Sequence, residues 1–213
     1  MEEDHPIFCF QHCSRDENIL CLSLPNHCPL CSRDLQTTQM LIPPFRLTYP
    51  FQCAIKSPCS VVIRPTHGSF LRDYTNSSNL HVGITNTKGS VYDYDEGGLH
   101  VHSPTWTSTE TLTIPVIQTN DTMWSHTWNI RLEQWAMQQQ WTADRYNDTH
   151  HNCYDFVLGF LQYMGLDKCL PCASNRTEFC AKMIVPKTTA AAKYISLYRK
   201  LYKDKVVIQT AAP

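Results

Sequence analysis

Strand-like runs fill the first part of the chain and helix-like runs the second, and this order restricts the fold more than any other feature. The strand-like runs are Ser60–Arg64, Leu80–Thr85, Ser90–Tyr94 and Glu110–Gln118. The helix-like runs begin near Asn120 or Asp121, at Cys153 and near Thr188. Strands alternate apolar and polar residues, whereas helices repeat their apolar residues every three or four positions. Strands followed by helices predict an α+β protein, in which an antiparallel sheet packs against helices.

Composition limits the size of the core and the class of partner. A chain of 213 residues can bury one core of about 150 residues with a small appendage. Its hydrophobic fraction of 42% and charged fraction of 17% are those of an ordinary globular protein. A net charge of −1 provides no electrostatic field for nucleic acid or an anionic membrane. We therefore expect neither of them as a partner.

Targeting signals are not evident in the sequence. No stretch reaches the roughly eighteen apolar residues of a membrane span, and the acidic start Met1-Glu-Glu-Asp4 lacks the basic and apolar regions of a signal peptide. We therefore expect no membrane span and a cytoplasmic or nuclear location. In such a reducing compartment the cysteines are expected as free thiols or metal ligands.

Five of the eleven cysteines fall within the first 31 residues, which marks a separate module. Cys9 and Cys13 form one pair and Cys28 and Cys31 form a second, with fourteen residues between Cys13 and Cys28. Two such pairs have approximately the spacing of a zinc ribbon, in which four side chains surround one tetrahedral ion. The spacing predicts one structural zinc bound by these four cysteines, and no organic cofactor.

The ligand set has alternatives. His12 could replace Cys9 or Cys13, and Cys21 or His27 could replace any of the four. A metal-free, cysteine-rich hairpin docked on the core is the other interpretation. A later pair, Cys169 and Cys172, is a weaker metal signal because it has no partner pair at matching spacing.

Domain boundaries follow from these patterns. We predict a cysteine-rich module over residues 1–35 and an extended linker over 36–58, which contains four prolines. The core is predicted over residues 59–206.

Cys153 and His81 outline a candidate thiol active site. Cys153 opens a strongly apolar, helix-like run, and His81 lies on a strand-like run. The positive end of a helix stabilises a thiolate, which lowers a cysteine pKa from about 8.5 toward roughly 3.5–7.5. A histidine within about 4 Å would act as the base. Asp93 on the next strand is the expected third residue, with Asp95 as the alternative, and a tyrosine at 92 or 94 would leave a weaker dyad.

The order of the histidine strand and the cysteine helix resembles the circularly permuted papain-like superfamily. Lecithin retinol acyltransferase, cell-wall peptidases and deubiquitinating or desumoylating enzymes belong to that superfamily. Its members place a polar residue on the strand after the histidine, and Asp93 matches that position. Several members have an Asn-Cys pair like Asn152-Cys153. The resemblance implies a permuted papain-like core.

Five further runs narrow the resemblance to one family. They are Cys28-Pro-Leu-Cys31, Arg64 to Arg72, Leu80 to Thr87, His150 to Tyr154 and Ile195 to Arg199. These runs are similar to those of the makorin-2 opposite strand protein family of vertebrates. The family is named for a genomic position, so the name implies neither ubiquitin-ligase activity nor makorin binding.

Two classes of function are therefore expected. In one, Cys153 attacks a carbonyl, His81 takes the proton and Asp93 orients the imidazole, which makes the protein a thiol hydrolase or acyltransferase. Its substrate would be a peptide, an isopeptide or a lipid ester. In the other, the same residues are structural and the protein is a non-catalytic interaction or scaffold protein that keeps the fold.

Overall fold

Two antiparallel sheets and four α-helices form the fold in the part of the chain that the computed structural model describes, residues 6–106, 110–117 and 122–211. The strands are β1 (Phe8–Gln11), β2 (Glu17–Cys21), β3 (Ile42–Arg46), β4 (Ser60–Pro65), β5 (Leu80–Thr85), β6 (Val91–Asp95), β7 (Gly98–Val101), β8 (Leu112–Pro115) and β9 (Val206–Thr210). The α-helices are α1 (Thr122–Ala136), α2 (Cys153–Tyr163), the short α3 (Arg176–Phe179) and α4 (Val185–Asp204). The predicted α+β class is confirmed.

The chain divides into two compact units, and the division differs from the predicted boundaries. One unit comprises Met1–Pro50 together with Ala192–Pro213, and the other comprises Phe51–Ala191. The first unit contains a four-stranded sheet with the strand order β3-β1-β2-β9. The end of the chain joins this unit because β9 pairs with β2 along its whole length. A two-stranded hairpin is only marginally stable in water, and added strands stabilise it.

The segment predicted as a linker, residues 36–58, contains a strand. Within it, β3 (Ile42–Arg46) pairs antiparallel with β1. Pro43 and Pro44 are compatible with this strand because β3 lies at the edge of the sheet and its pairing with β1 shifts register between Cys9 and Gln11. Proline has no backbone N–H to donate, so it is tolerated at sheet edges and at irregular pairing.

The second unit contains a five-stranded sheet with the strand order β7-β6-β5-β4-β8, antiparallel throughout. The central strands β4 and β5 are apolar and buried. Pro115 lies on the edge strand β8, as the sequence predicted.

Helix α2 packs against β5 and β6, and its apolar face is largely buried, including Phe156, Val157 and Phe160. Helix α1 contributes Trp128, which is fully buried and donates a hydrogen bond to the Thr85 carbonyl at 2.9 Å. The two expected caps of α1, at residues 120 and 121, lie outside the described residues. None of the described helices is both long and apolar enough to cross a membrane.

Candidate thiol active site and metal-ligand cluster

Cys153 is the first residue of α2 and is buried. Asn152 is the N-cap, and its side chain accepts hydrogen bonds from the amides of Tyr154 and of Asp155. The Asp155 carboxylate accepts a hydrogen bond from the backbone N–H of Asn152 at 2.9 Å. These reciprocal bonds form a capping box, which fixes where the helix begins. The role of Asn152 in this structure is therefore to place Cys153 at the helix terminus.

His81 and Asp93 meet on one face of the five-stranded sheet. Asp93 lies opposite Gly83 in the register of β5 and β6, so it is diagonal to His81. The two side chains are buried, and the distance between His81 Nε2 and Asp93 Oδ2 is 2.8 Å. Gly83 leaves space for this contact, because a Cβ there would lie 2.9 Å from Cγ1 of Val91 and 3.2 Å from Cβ of Asp93.

The surroundings of His81 favour its protonated form. Burial alone lowers the pKa of His81, but hydrogen bonds to Asp93 and to Cys153 outweigh that effect and raise the pKa to about 9. The carboxylate stabilises the imidazolium directly. His81 is thus protonated at neutral pH and interacts with both other members of the predicted set. The structure brings Cys153, His81 and Asp93 together.

The alternatives to Asp93 have other partners. The Asp95 carboxylate accepts hydrogen bonds from His100 Nε2 at 2.7 Å and from the Gly97 amide at 2.8 Å. The hydroxyl of Tyr94 donates to the Thr142 carbonyl at 2.9 Å. An Asp95 oxygen lies within 4.8 Å of ligand atoms of His81 and Asp93, so these three residues could hold a cation. The direct bond between His81 and Asp93, however, already occupies Nε2.

Sequence reasoning missed two residues next to His81. The indole of Trp106 stacks on the imidazole with ring centroids 5.8 Å apart, and Trp106 is fully buried. The guanidinium of Arg64 lies over the same indole, 5.2 Å from its centroid. Arg64 is directly opposite His81 in the pairing of β4 and β5. Neither position has a local sequence signal, since Arg64 depends on strand register and Trp106 depends on how the segment after β7 packs.

Cys153 and His81 border a cleft of about 670 Å³, while Asp93 is buried and bonded to His81. Its walls carry charges of both signs and many hydroxyl and amide groups, while Leu80 is the one aliphatic side chain among the described residues that line it. His67, which the sequence places in a turn, is exposed at the rim of this cleft. Cys180 also lines it, on a short π-helical segment, Cys180–Ile184. The cleft is therefore polar.

A second cluster lies in the other unit, where ligand atoms of His12, Cys13, Cys28 and Cys31 all lie within 4.8 Å of one another. The Sγ atoms of Cys13 and Cys28 are 3.9 Å apart, and Cys31 Sγ is 3.3 Å from His12 Nδ1. A tetrahedral zinc ion with ordinary bond lengths separates two sulfurs by about 3.8 Å, and a sulfur from a nitrogen by about 3.6 Å. The cluster has the dimensions of a metal site.

Cys9, which the sequence predicted as a ligand, does not belong to this cluster. Successive side chains of a strand point to opposite faces. In β1, Phe8 and Phe10 pack with Cys28, and Cys9 therefore points to the other face, where it is buried. His12, which follows β1, takes the fourth position. The sequence had left this substitution open.

Hydrogen bonds around the cluster orient the side chains that would bind the metal. His12 Nε2 lies 2.8 Å from the Thr38 hydroxyl, which itself donates to the Asp34 carbonyl. The Thr38 oxygen therefore accepts from Nε2–H, and Nδ1 keeps a lone pair toward the cluster. The Leu30 amide points to Cys28 Sγ at 3.4 Å. A backbone hydrogen bond from Arg33 lowers the pKa of Cys31.

The pair Cys169 and Cys172 does not form such a cluster. Cys169 is exposed and Cys172 is buried, and neither belongs to a group of potential metal ligands within the described ranges.

Comparisons with known proteins identify the family. A family model described as DUF4796 C-terminal matches residues 44–201, and one described as DUF4796 N-terminal matches residues 5–35. The chain is similar to the human MKRN2 opposite strand protein, with 38% identity over 197 residues that cover 90% of this chain and 84% of the human protein. No solved structure matches the chain. The family resemblance expected from the sequence is confirmed, and the chain belongs to the DUF4796 family.

Proposed function

We propose that this protein is a thiol hydrolase or acyltransferase with a permuted papain-like core. The observation that carries the proposal is the convergence of Cys153 and His81 at the wall of a polar cleft, with Asp93 bonded to His81. A nucleophile at a helix start, a base in hydrogen-bond reach and a carboxylate that orients the base are the three parts that covalent acyl transfer needs.

The chemistry follows from the order of contacts. Asp93 accepts from Nε2 of His81, so the other ring nitrogen, Nδ1, faces Cys153 and already holds the proton that the thiol has given up. The sulfur forms a bond to the substrate carbonyl carbon, and the bond from that carbon to the leaving group breaks. The leaving group departs with the proton from Nδ1. Water, or an acceptor alcohol or amine, then gives a proton to Nδ1 and attacks the thioester, and the bond between carbon and sulfur breaks to release Cys153.

A donor for the developing oxyanion is available at the helix terminus. The capping box uses the amides of Asn152, Tyr154 and Asp155. The Cys153 amide makes no hydrogen bond with any described residue. A helix-terminal amide next to the nucleophile is suited to stabilise a tetrahedral oxyanion, and such a donor contributes about 10²–10³ in rate.

The proposal is tested by the reactivity of Cys153. Limiting iodoacetamide should label the peptide that contains Cys153 before the other buried thiols of the same unit, Cys53, Cys59 and Cys172, when each peptide is followed by mass spectrometry. His81→Ala should slow labelling of Cys153 at least about tenfold, because it removes the imidazolium that stabilises the thiolate. His100→Ala is the matched control, since His100 is partly exposed and bonded to Asp95 instead. Equal rates in wild type and His81→Ala would favour the non-catalytic scaffold.

We also propose that His12, Cys13, Cys28 and Cys31 hold one structural zinc ion. Three sulfurs and an imidazole nitrogen are a common zinc ligand set, and the Thr38 contact of His12 supports its orientation. The ion would stabilise the amino-terminal module by crosslinking the segment after β1 to the turn at Cys28–Cys31.

Elemental analysis of the purified chain tests the zinc proposal. We expect one zinc per chain, lost in Cys28→Ser and Cys31→Ser and kept in Cys9→Ala, which changes a buried cysteine outside the cluster. Residues 6–35 should become sensitive to protease in the first two variants while the unit Phe51–Ala191 stays folded. A zinc-free wild type with a protease-resistant module would exclude the ion.

A further inference from the structure

Arg64 has an unusual position for an arginine. Its Nε is buried and has no hydrogen-bond partner, and its guanidinium forms no ion pair or hydrogen bond with any described residue. The guanidinium is held instead over the face of Trp106. A guanidinium offers five donors in a planar fork that matches a carboxylate. A partly buried arginine without such a partner has unused capacity to bind an anion.

The register of the sheet places this charge beside the proposed catalytic base. Arg64 and His81 are direct partners on β4 and β5, so their side chains project from the same face with Cβ atoms about 5 Å apart. Both residues line the cleft that contains Cys153. An anion bound by Arg64 would thus lie a few ångströms from the reacting sulfur.

The acidic residues of the cleft leave this charge uncompensated. Asp95 forms no ion pair with Arg64, and its Oδ1 accepts hydrogen bonds from His100 and the Gly97 amide. Glu96 and Asp148 are exposed, where water screens them. The lining also offers little to a lipid chain, since Leu80 is its one aliphatic residue within the described ranges.

We propose that the substrate is a peptide or isopeptide that carries a carboxylate close to the scissile carbonyl, and that Arg64 binds this carboxylate. The inference rests on the proposed thiol chemistry of Cys153. Trp106 positions the guanidinium by stacking, while the fork itself remains free for a bidentate contact. The carboxylate comes either from an acidic side chain or from a terminal α-carboxyl group.

Two alkylating reagents that differ in charge test the proposal. Iodoacetate is anionic and iodoacetamide is neutral, so the ratio of their rates at Cys153, normalised to the same ratio for glutathione, measures the attraction of an anion to the site. In Arg64→Gln this ratio should fall about tenfold, the effect of one charge a few ångströms away in partly screened surroundings. Arg64→Lys should keep most of the ratio. Arg72→Gln, at an exposed arginine that does not line the cleft, should leave it unchanged.

The outcomes separate this inference from the thiol chemistry on which it rests. The iodoacetamide rate and its dependence on His81 report the activation of Cys153, whereas the normalised ratio reports the anion site. An unchanged ratio in Arg64→Gln, with iodoacetamide labelling still dependent on His81, overturns the carboxylate site alone. Loss of the His81 dependence overturns the proposed function.

Protection of Cys153 by small carboxylates identifies the source of the charge. N-acetylglycine carries an α-carboxylate, and the α-amide of N-acetylaspartate carries a side-chain carboxylate. Protection of the wild type by either, but not of Arg64→Gln, supports the proposal and assigns the carboxylate. Protection by neither, or equal protection of the variant, contradicts it.

Discussion

Replacement of Asp93 by asparagine should reduce the pH dependence that His81 gives to stability. The pKa of His81 is raised from its ordinary 6.5 to about 9 in the folded protein. One pKa unit corresponds to about 1.4 kcal/mol, so the whole shift contributes about 3 kcal/mol. Between pH 6.5 and 9, His81 is therefore protonated in the folded state but mostly neutral in the unfolded state. The contribution is therefore complete below pH 6.5 and is lost as the pH rises through 9.

Asp93→Asn removes the hydrogen bond that contributes most to raising this pKa and leaves the burial that lowers it. The pKa of His81 should then fall, although its contact with Cys153 still raises it. The stability difference between pH 6.5 and pH 9 should be smaller than in the wild type by up to about 3 kcal/mol. Groups that do not contact His81 contribute equally to both proteins and cancel, and Cys153→Ala in both proteins removes the titration of the thiol from the comparison.

Urea unfolding followed by tryptophan fluorescence measures this difference in the relevant unit, because all five tryptophans lie between Phe51 and Ala191. An NMR titration of the His81 imidazole gives the pKa directly. Asp144→Asn is the control, since Asp144 is an exposed carboxylate of the same unit that does not line the cleft. A wild-type His81 that titrates near 6.5, or identical pH profiles for wild type and Asp93→Asn, would refute the reasoning.

Three further changes test the packing and the supporting contacts. Gly159→Ala should destabilise the protein by about 1–3 kcal/mol in thermal unfolding, because a Cβ there would lie 2.6 Å from the Trp135 ring. Helix propensity alone predicts the opposite, so an increase in Tm would contradict this expectation. Thr38→Ala should weaken zinc binding about tenfold to a hundredfold in a chelator competition, because it removes the partner of His12 Nε2; unchanged affinity would exclude that role. Asn152→Ala should cost about 1 kcal/mol of stability through loss of the N-cap, and unfolding at the wild-type urea midpoint would count against the capping box.

Local patterns in the sequence were sufficient to place the elements that carry the three candidate site residues. Alternating apolar residues predict β5 with His81 and β6 with Asp93, and a polar residue before an apolar run predicts a helix that begins at Cys153. The structure has these elements where the patterns indicate. Each of these features depends on residues that are neighbours in the chain, so the sequence alone determines them.

Contacts between segments that are far apart in the sequence could be known only from the tertiary structure. The pairing of β9 with β2 joins the two ends of the chain, and no local pattern encodes which strand becomes the neighbour of another. The choice of His12 over Cys9 depends on which face of β1 each residue occupies. The position of Arg64 beside His81 depends on strand register. A shift of one residue would turn every side chain of a strand to the opposite face, and only the packing of the whole sheet decides that register.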